Sequence, residues 1–162
     1  MVRNCAELGE NLQKIIGQLL KDQTLLKYLY YEDKDPLSQP DLTTEQIQKE
    51  VFNKLVNIVP RIPPHDHAKS VISLRVLSGT QNSDNSEFRN VIFVFDVFVP
   101  LNQWIIKSDN LRPFLILGQI QKDLKGKKVN GLGRLEGGDF ELSLITDETI
   151  GYEQKFVIVA YE

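Results

Sequence analysis

The sequence predicts an α+β fold in which a largely antiparallel sheet of about five strands carries its helices on one face. Three observations point there: apolar residues recur at helical spacing in three stretches, they alternate at period two in the middle and last parts, and prolines or glycines separate the two kinds. The resulting order is α-α-β-β-α-β-β-β.

Leu8, Leu12, Ile15, Ile16, Leu19 and Leu26 share one stripe of an amphipathic helix running from about Cys5 to Leu29. The acidic stretch Glu32 to Asp41, with two prolines, reads as a solvated loop. A second helix opens with Thr43 as N-cap, Gln46 as the other half of a capping box, and Leu42 with Ile47 as a hydrophobic staple. It is expected to reach about Val56. Pro60, Pro63 and Pro64 then hold Ile58 to His67 extended.

Ser70 to Ser78 alternates, with Ile72, Leu74 and Val76 on the buried face, while Val91 to Val99 is apolar on both faces except at Asp96 and reads as a central strand. The pair forms a hairpin whose tip is Thr80 to Ser86. A third helix spans about Leu111 to Lys125, capped by Asp109, with Pro113 in its first turn and Gly126 as its left-handed stop. Its buried stripe is Ile116, Leu117, Ile120 and Leu124. The last part predicts a strand from Val129 to Leu135, a turn at Gly137 and Gly138, and a strand with Phe140, Leu142 and Leu144 facing inward opposite Glu141 and Ser143. A final strand from Lys155 to Tyr161 closes the chain.

With 162 residues, 41% hydrophobic and 25% charged, residues 1–162 have the size and composition of a single soluble domain. The net charge of −3 and the lack of a regular basic run argue against sequence-specific nucleic-acid binding; Lys122, Lys125, Lys127 and Lys128 fit a helix C-terminus instead. Cys5 is the only cysteine, so no intrachain disulfide forms, and an intracellular assembly site is expected. The first residues carry Arg3, Glu7 and Glu10 and lack the apolar run of an export signal, and Ile15 to Leu20 is too short to span a bilayer. No membrane contact is expected.

No catalytic constellation emerges. His65, Asp66 and His67 form the only histidine cluster and lack companions for a metal, and the glycines at 131, 133, 137 and 138 precede no helix that aims amides at a phosphate and are expected to permit a tight hairpin, a bulge or close approach of a neighbouring backbone. No serine sits in a nucleophile-elbow pattern, and Cys5 has no basic helper beyond Arg3. No catalytic, cofactor or metal residue is therefore predicted. Asp96 is expected to be hydrogen-bonded or to face a subunit boundary. Trp104, Ile105 and Ile106 are either tucked under the third helix or a subunit contact.

Leu111-Arg-Pro-Phe-Leu-Ile-Leu-Gly118 opening a helix between two hairpin systems, Gly131-Leu-Gly-Arg-Leu-Glu-Gly-Gly-Asp-Phe140 leading into paired strands, and the order of elements over nearly the whole chain resemble bacteriophage tail-terminator and tail-to-head joining proteins. The resemblance implies a homohexameric ring in the virion tail or neck, assembled in the host cytoplasm, with tail-tube and head-connector proteins as partners and DNA passing through the lumen without sequence-specific contact. It suggests axial contacts at the hairpin tip, with Gly79, Thr80, Gln81, Asn82, Ser83 and Asp84 as candidates. Trp104, Ile105 and Ile106 are the lateral candidates, and Glu136, Asp139 and Glu141 the acidic lumen wall. Another tube, neck or baseplate ring protein would look similar, and a monomeric or dimeric binding adaptor of the same fold is the rival from another class.

Overall fold

The structure, a computed structural model, describes residues 5–59, 69–81, 83, 89–107, 109–129 and 133–159. The expected α+β architecture holds. Four long strands, β2 (Val71–Gln81), β3 (Arg89–Pro100), β5 (Gly133–Ile145) and β6 (Thr149–Val159), form an antiparallel sheet. Two-residue strands β1 (Val56–Asn57) and β4 (Lys128–Val129) flank it, giving the order β1-β2-β3-β6-β5-β4. Among the strands of the described residues, only β1 pairs parallel to its neighbour. Val91, Phe93, Phe95, Val97 and Val99 of β3 and Phe156 and Ile158 of β6 share one core with the helices.

The first helix divides into α1 (Glu7–Leu19) and α2 (Gln23–Tyr30). Asp22 breaks the expected single helix: its backbone is extended and its carboxylate accepts the Thr24 N–H at 2.9 Å, capping a new helix. The predicted capping box at Thr43 and Gln46 is present, with reciprocal bonds of 3.2 and 2.9 Å. The helix it opens, α3 (Thr44–Gln46), widens at once: the Phe52 N–H reaches back five residues to the Ile47 carbonyl at 2.9 Å. Phe52 turns extended and Asn53 follows with a left-handed φ of 57°, so the helix ends short of the expected Val56 and that residue enters β1 instead.

α4 (Arg112–Leu124) buries the predicted stripe Ile116, Leu117, Ile120 and Leu124, and Gly126 adopts φ 71° after it. Asp109 is not its cap. That residue lies in a turn at φ 57°, and the helix starts from Leu111 without a side-chain cap. The connection before α4 is fixed by Arg112, which is fully buried. Its guanidinium donates to the carbonyls of Gln103 (2.9 Å), Tyr28 (2.8 Å), Tyr31 (2.6 Å) and Asp33 (2.5 Å), and so ties the C-terminus of α2 to the start of α4.

Of the turn and the bulge expected at Gly137 and Gly138, the structure has the bulge, inside one long strand, β5, and the hairpin turn falls at 146–148. Both glycines have positive φ, 124° and 103°. A Cβ on Gly137 would stand 2.5 Å from the Lys155 carbonyl oxygen, so β5 can hug β6 there only with glycine. The bulge also turns the Gly138 carbonyl toward the buried Gln154, whose amide donates to it at 3.1 Å. β6 begins at Thr149, six residues before the expected Lys155.

Replacing Arg112 with Met is expected to cost about 3–5 kcal/mol, because the buried carbonyls lose a charged donor. Denaturant unfolding followed by circular dichroism measures it, and a loss under about 1 kcal/mol would refute the anchoring role. Gly137→Ala should cost roughly 2–3 kcal/mol through strain. Gly118→Ala, on the exposed face of α4 with nothing within 4 Å, should instead gain about 0.5–1 kcal/mol.

Candidate functional site

Two faces of the sheet carry different chemistry. On the helix side, β5 presents Phe140, Leu142 and, past a second irregularity, Ile145, which are 54%, 50% and 66% exposed. Periodicity placed Phe140 and Leu142 on the correct face. They are not buried, however, because they lie at the margin of the helix layer. Leu144 is shifted to the opposite face by the irregularity between Leu142 and Leu144, where it sits across from Gly151. Phe114, in the first turn of α4, joins the exposed side chains: its ring lies 6.0 Å from Phe140 and 5.3 Å from Tyr152, and Trp104 lies 6.3 Å from Tyr152. The result is a continuous aromatic surface with one rim on an edge strand.

On the face opposite the helices, a ladder of charge crosses all four long strands. Arg75 of β2 bonds Asp96 of β3 at 2.7 Å and Glu153 of β6 at 2.8 Å; Lys155 of β6 pairs with Glu153 at 2.9 Å and with Glu141 of β5. Hydrogen bonding to Asp96 raises the Arg75 pKa, and the hydrogen bond from Lys155 lowers that of Glu141. Asp96 thus has the hydrogen-bonded place its sequence context predicts. Arg75 and Lys155 flank Val94, which is fully buried on this face.

Among the described residues, both edges of the sheet are largely open. β4 and the bridge from Lys125 cover β5 only as far as Leu135, and β1 covers β2 only at Ile72 and Ser73. Glu136 to Ile145 and Arg75 to Thr80 therefore have no strand partner on their outer side among the described residues.

The family profile of YomW matches residues 22–158, from the cap of α2 nearly to the end of β6. The chain belongs to the YomW family. That family carries a phage-derived name, which sets the chain in a phage context. No curated protein matches the chain. The family match takes in both sheet faces, both open edges and the Arg112 anchor.

Among the sequence-predicted contact residues, Gly79, Thr80 and Gln81 continue β2 rather than forming the tip, and Ser83 is exposed. Asn82 and Asp84 lie outside the described residues, as do His65 and His67. Trp104 is half-buried against Tyr152, Ile105 is 58% exposed, and Ile106, at 7%, belongs to the core. Glu136, Asp139 and Glu141 all fall on the face away from the helices. An open groove of about 480 Å³ beside the Arg112 anchor is lined by Tyr28, Ile106 and Leu115, and Lys107 at its rim is paired with Asp35 at 2.9 Å. No helix among the described residues is long and apolar enough to cross a membrane.

One buried pair of carboxyls carries no signal in the sequence. Asp22, the cap of α2, meets Asp123 in the last turn of α4, and the Oδ2 atoms of both are buried without a donor. The two carboxyls can share a hydrogen bond only when one holds a proton. Burial, then the Asp22 charge and that hydrogen bond, push Asp123 up to about 6, against the opposing pull of Lys127 and Lys122. A raised carboxyl pKa means that the stabilisation is full below the unfolded value near 4 and is lost as pH rises through about 6. Asp123→Asn should therefore gain stability relative to the parent between pH 5 and pH 7.5, by up to about 1.4 kcal/mol. Denaturant midpoints at the two pH values test this, and an unchanged difference would exclude the shared proton.

Proposed function

We propose that the chain is a structural subunit of a phage tail or neck, resembling a tail terminator, which assembles with its own copies into a ring that caps the tail tube and joins it to the head connector. The observation that carries this reading is the apolar stripe of Phe140, Leu142 and Ile145 on a strand whose outer edge has no partner among the described residues. An exposed apolar edge invites pairing with another chain, and a stable subunit keeps one only where a neighbour covers it. The phage-derived name of the family supports the same direction.

In such a ring the face away from the helices is suited to the lumen. Glu136, Asp139 and Glu141 stand there together, and a wall of carboxylates repels passing phosphates instead of trapping them. The far end of the β2–β3 hairpin supplies axial contacts to the tube or connector. Function on this reading is geometric: it needs no cofactor, metal or membrane, contacts DNA only in transit, and belongs to the virion after assembly in the host cytoplasm.

Light scattering coupled to size exclusion, with negative-stain imaging, tests the reading. A closed ring of about six subunits is expected. The double substitution Phe140→Glu with Leu142→Glu should abolish it and leave the circular dichroism spectrum unchanged. A compact monomer at every concentration would overturn the reading, as would a turnover that disappears when one buried polar side chain is replaced in a folded protein.

A further inference from the structure

Deepening the ring reading, on which this inference rests, we infer that neighbouring copies join head to tail, the outer edge of β5 on one copy pairing antiparallel with the outer edge of β2 on the next.

Strand direction allows it. β2, β3, β6 and β5 are antiparallel in succession, so the two edge strands of the sheet run opposite ways. A neighbour generated by rotation keeps its orientation along the ring axis. Its β2 therefore arrives antiparallel to β5, and the hydrogen-bonding pattern of the sheet continues across the seam without a parallel junction.

Charge selects this pairing over a two-fold one. A two-fold contact between two β5 edges sets Glu136, Asp139 and Glu141 against the same three carboxylates on the same face, and like charges opposite one another on paired strands are destabilising. The β2 strand, Val71–Gln81, contains no carboxylate and one cation, Arg75. Beyond Arg75 its residues on that face are Ser78 and Thr80, which sit opposite Ile92 and Asn90 of β3. An acidic strand thus meets a strand free of acid. Apolar side chains are available on each partner: Leu77, at the irregularity of β2, is 48% exposed, and β5 offers Phe140 and Leu142.

Complementary edge variants decide the matter, because a head-to-tail seam leaves each variant one working edge. One carries Leu77→Glu with Thr80→Glu, and the other Phe140→Glu with Leu142→Glu; all four positions are exposed, and circular dichroism checks that both proteins fold. Sedimentation equilibrium over a concentration series should find each variant monomeric alone, and a one-to-one mixture should give a heterodimer that grows no further. Self-association of the β2 variant would show a β5 to β5 contact, and self-association of the β5 variant a β2 to β2 contact; either overturns the seam. A mixture that stays monomeric while the parent protein forms rings also overturns it and leaves the ring standing. A parent protein that never assembles removes the ring reading itself, so the two failures are distinguishable.

Discussion

Arg112 is the point from which the helical layer takes its geometry. A fully buried guanidinium is tolerated only if its donors are occupied, and here they meet backbone carbonyls of Gln103, Tyr28, Tyr31 and Asp33 in place of a carboxylate side chain. Two of those carbonyls close α2, where the helix dipole leaves partial negative charge. Burial lowers the arginine's pKa without neutralising the group, and the charge is balanced by oriented peptide dipoles. Because Phe114 follows two residues later in the same helical turn, the anchor also sets where the aromatic surface meets β5.

The bulge at Gly137 and Gly138 is the second constraint, and it shows what periodicity can and cannot reveal. Alternation assigned Phe140 and Leu142 to the helix side correctly, since the face of a residue is a local property of the pleat. Coverage is not local. Whether that face is buried depends on where α4 begins, and this is decided by the contacts of Arg112 with residues about eighty positions earlier in the chain. Two adjacent glycines fit a turn or a bulge equally well by conformational freedom; Gln154 and the close Lys155 carbonyl select the bulge, and both are brought there by pairing with β6. The capping box at Thr43 and the stop at Gly126 were legible because each is settled within a few residues. Asp22 had the same local signal as a cap, hidden inside an unbroken apolar stripe.

The charged ladder on the other face explains how a strand that is apolar on both sides can lie in a sheet with helices on only one. Val94 is sealed by the Arg75 and Lys155 side chains, whose ends are held by Asp96, Glu153 and Glu141. The exposed Lys155–Glu141 pair adds little stability, whereas Arg75, Asp96 and Glu153 are largely shielded from solvent. The value of these ion pairs here is positional, because they hold long aliphatic stems flat over apolar atoms while keeping the surface polar. Only Asp96, alone in an apolar strand, stood out in sequence; its partner Arg75 lies on another strand, and Glu153, Lys155 and Glu141 on two more.

The same ladder bears on which partners an exposed apolar edge can accept. Charges beside an edge strand discourage indiscriminate pairing, and on β5 Glu136, Asp139 and Glu141 impose that barrier on any acidic partner, including a second β5. Lys155 tempers the barrier at Glu141 by pairing with it, so repulsion is weakest next to Phe140 and Leu142, where apolar contact has most to offer. A partner edge without carboxylates avoids the penalty and collects both the main-chain bonds and the apolar burial. Selectivity then comes from what the wrong partner would have to place opposite those acids, a condition that the chain's own β2 meets and its own β5 does not.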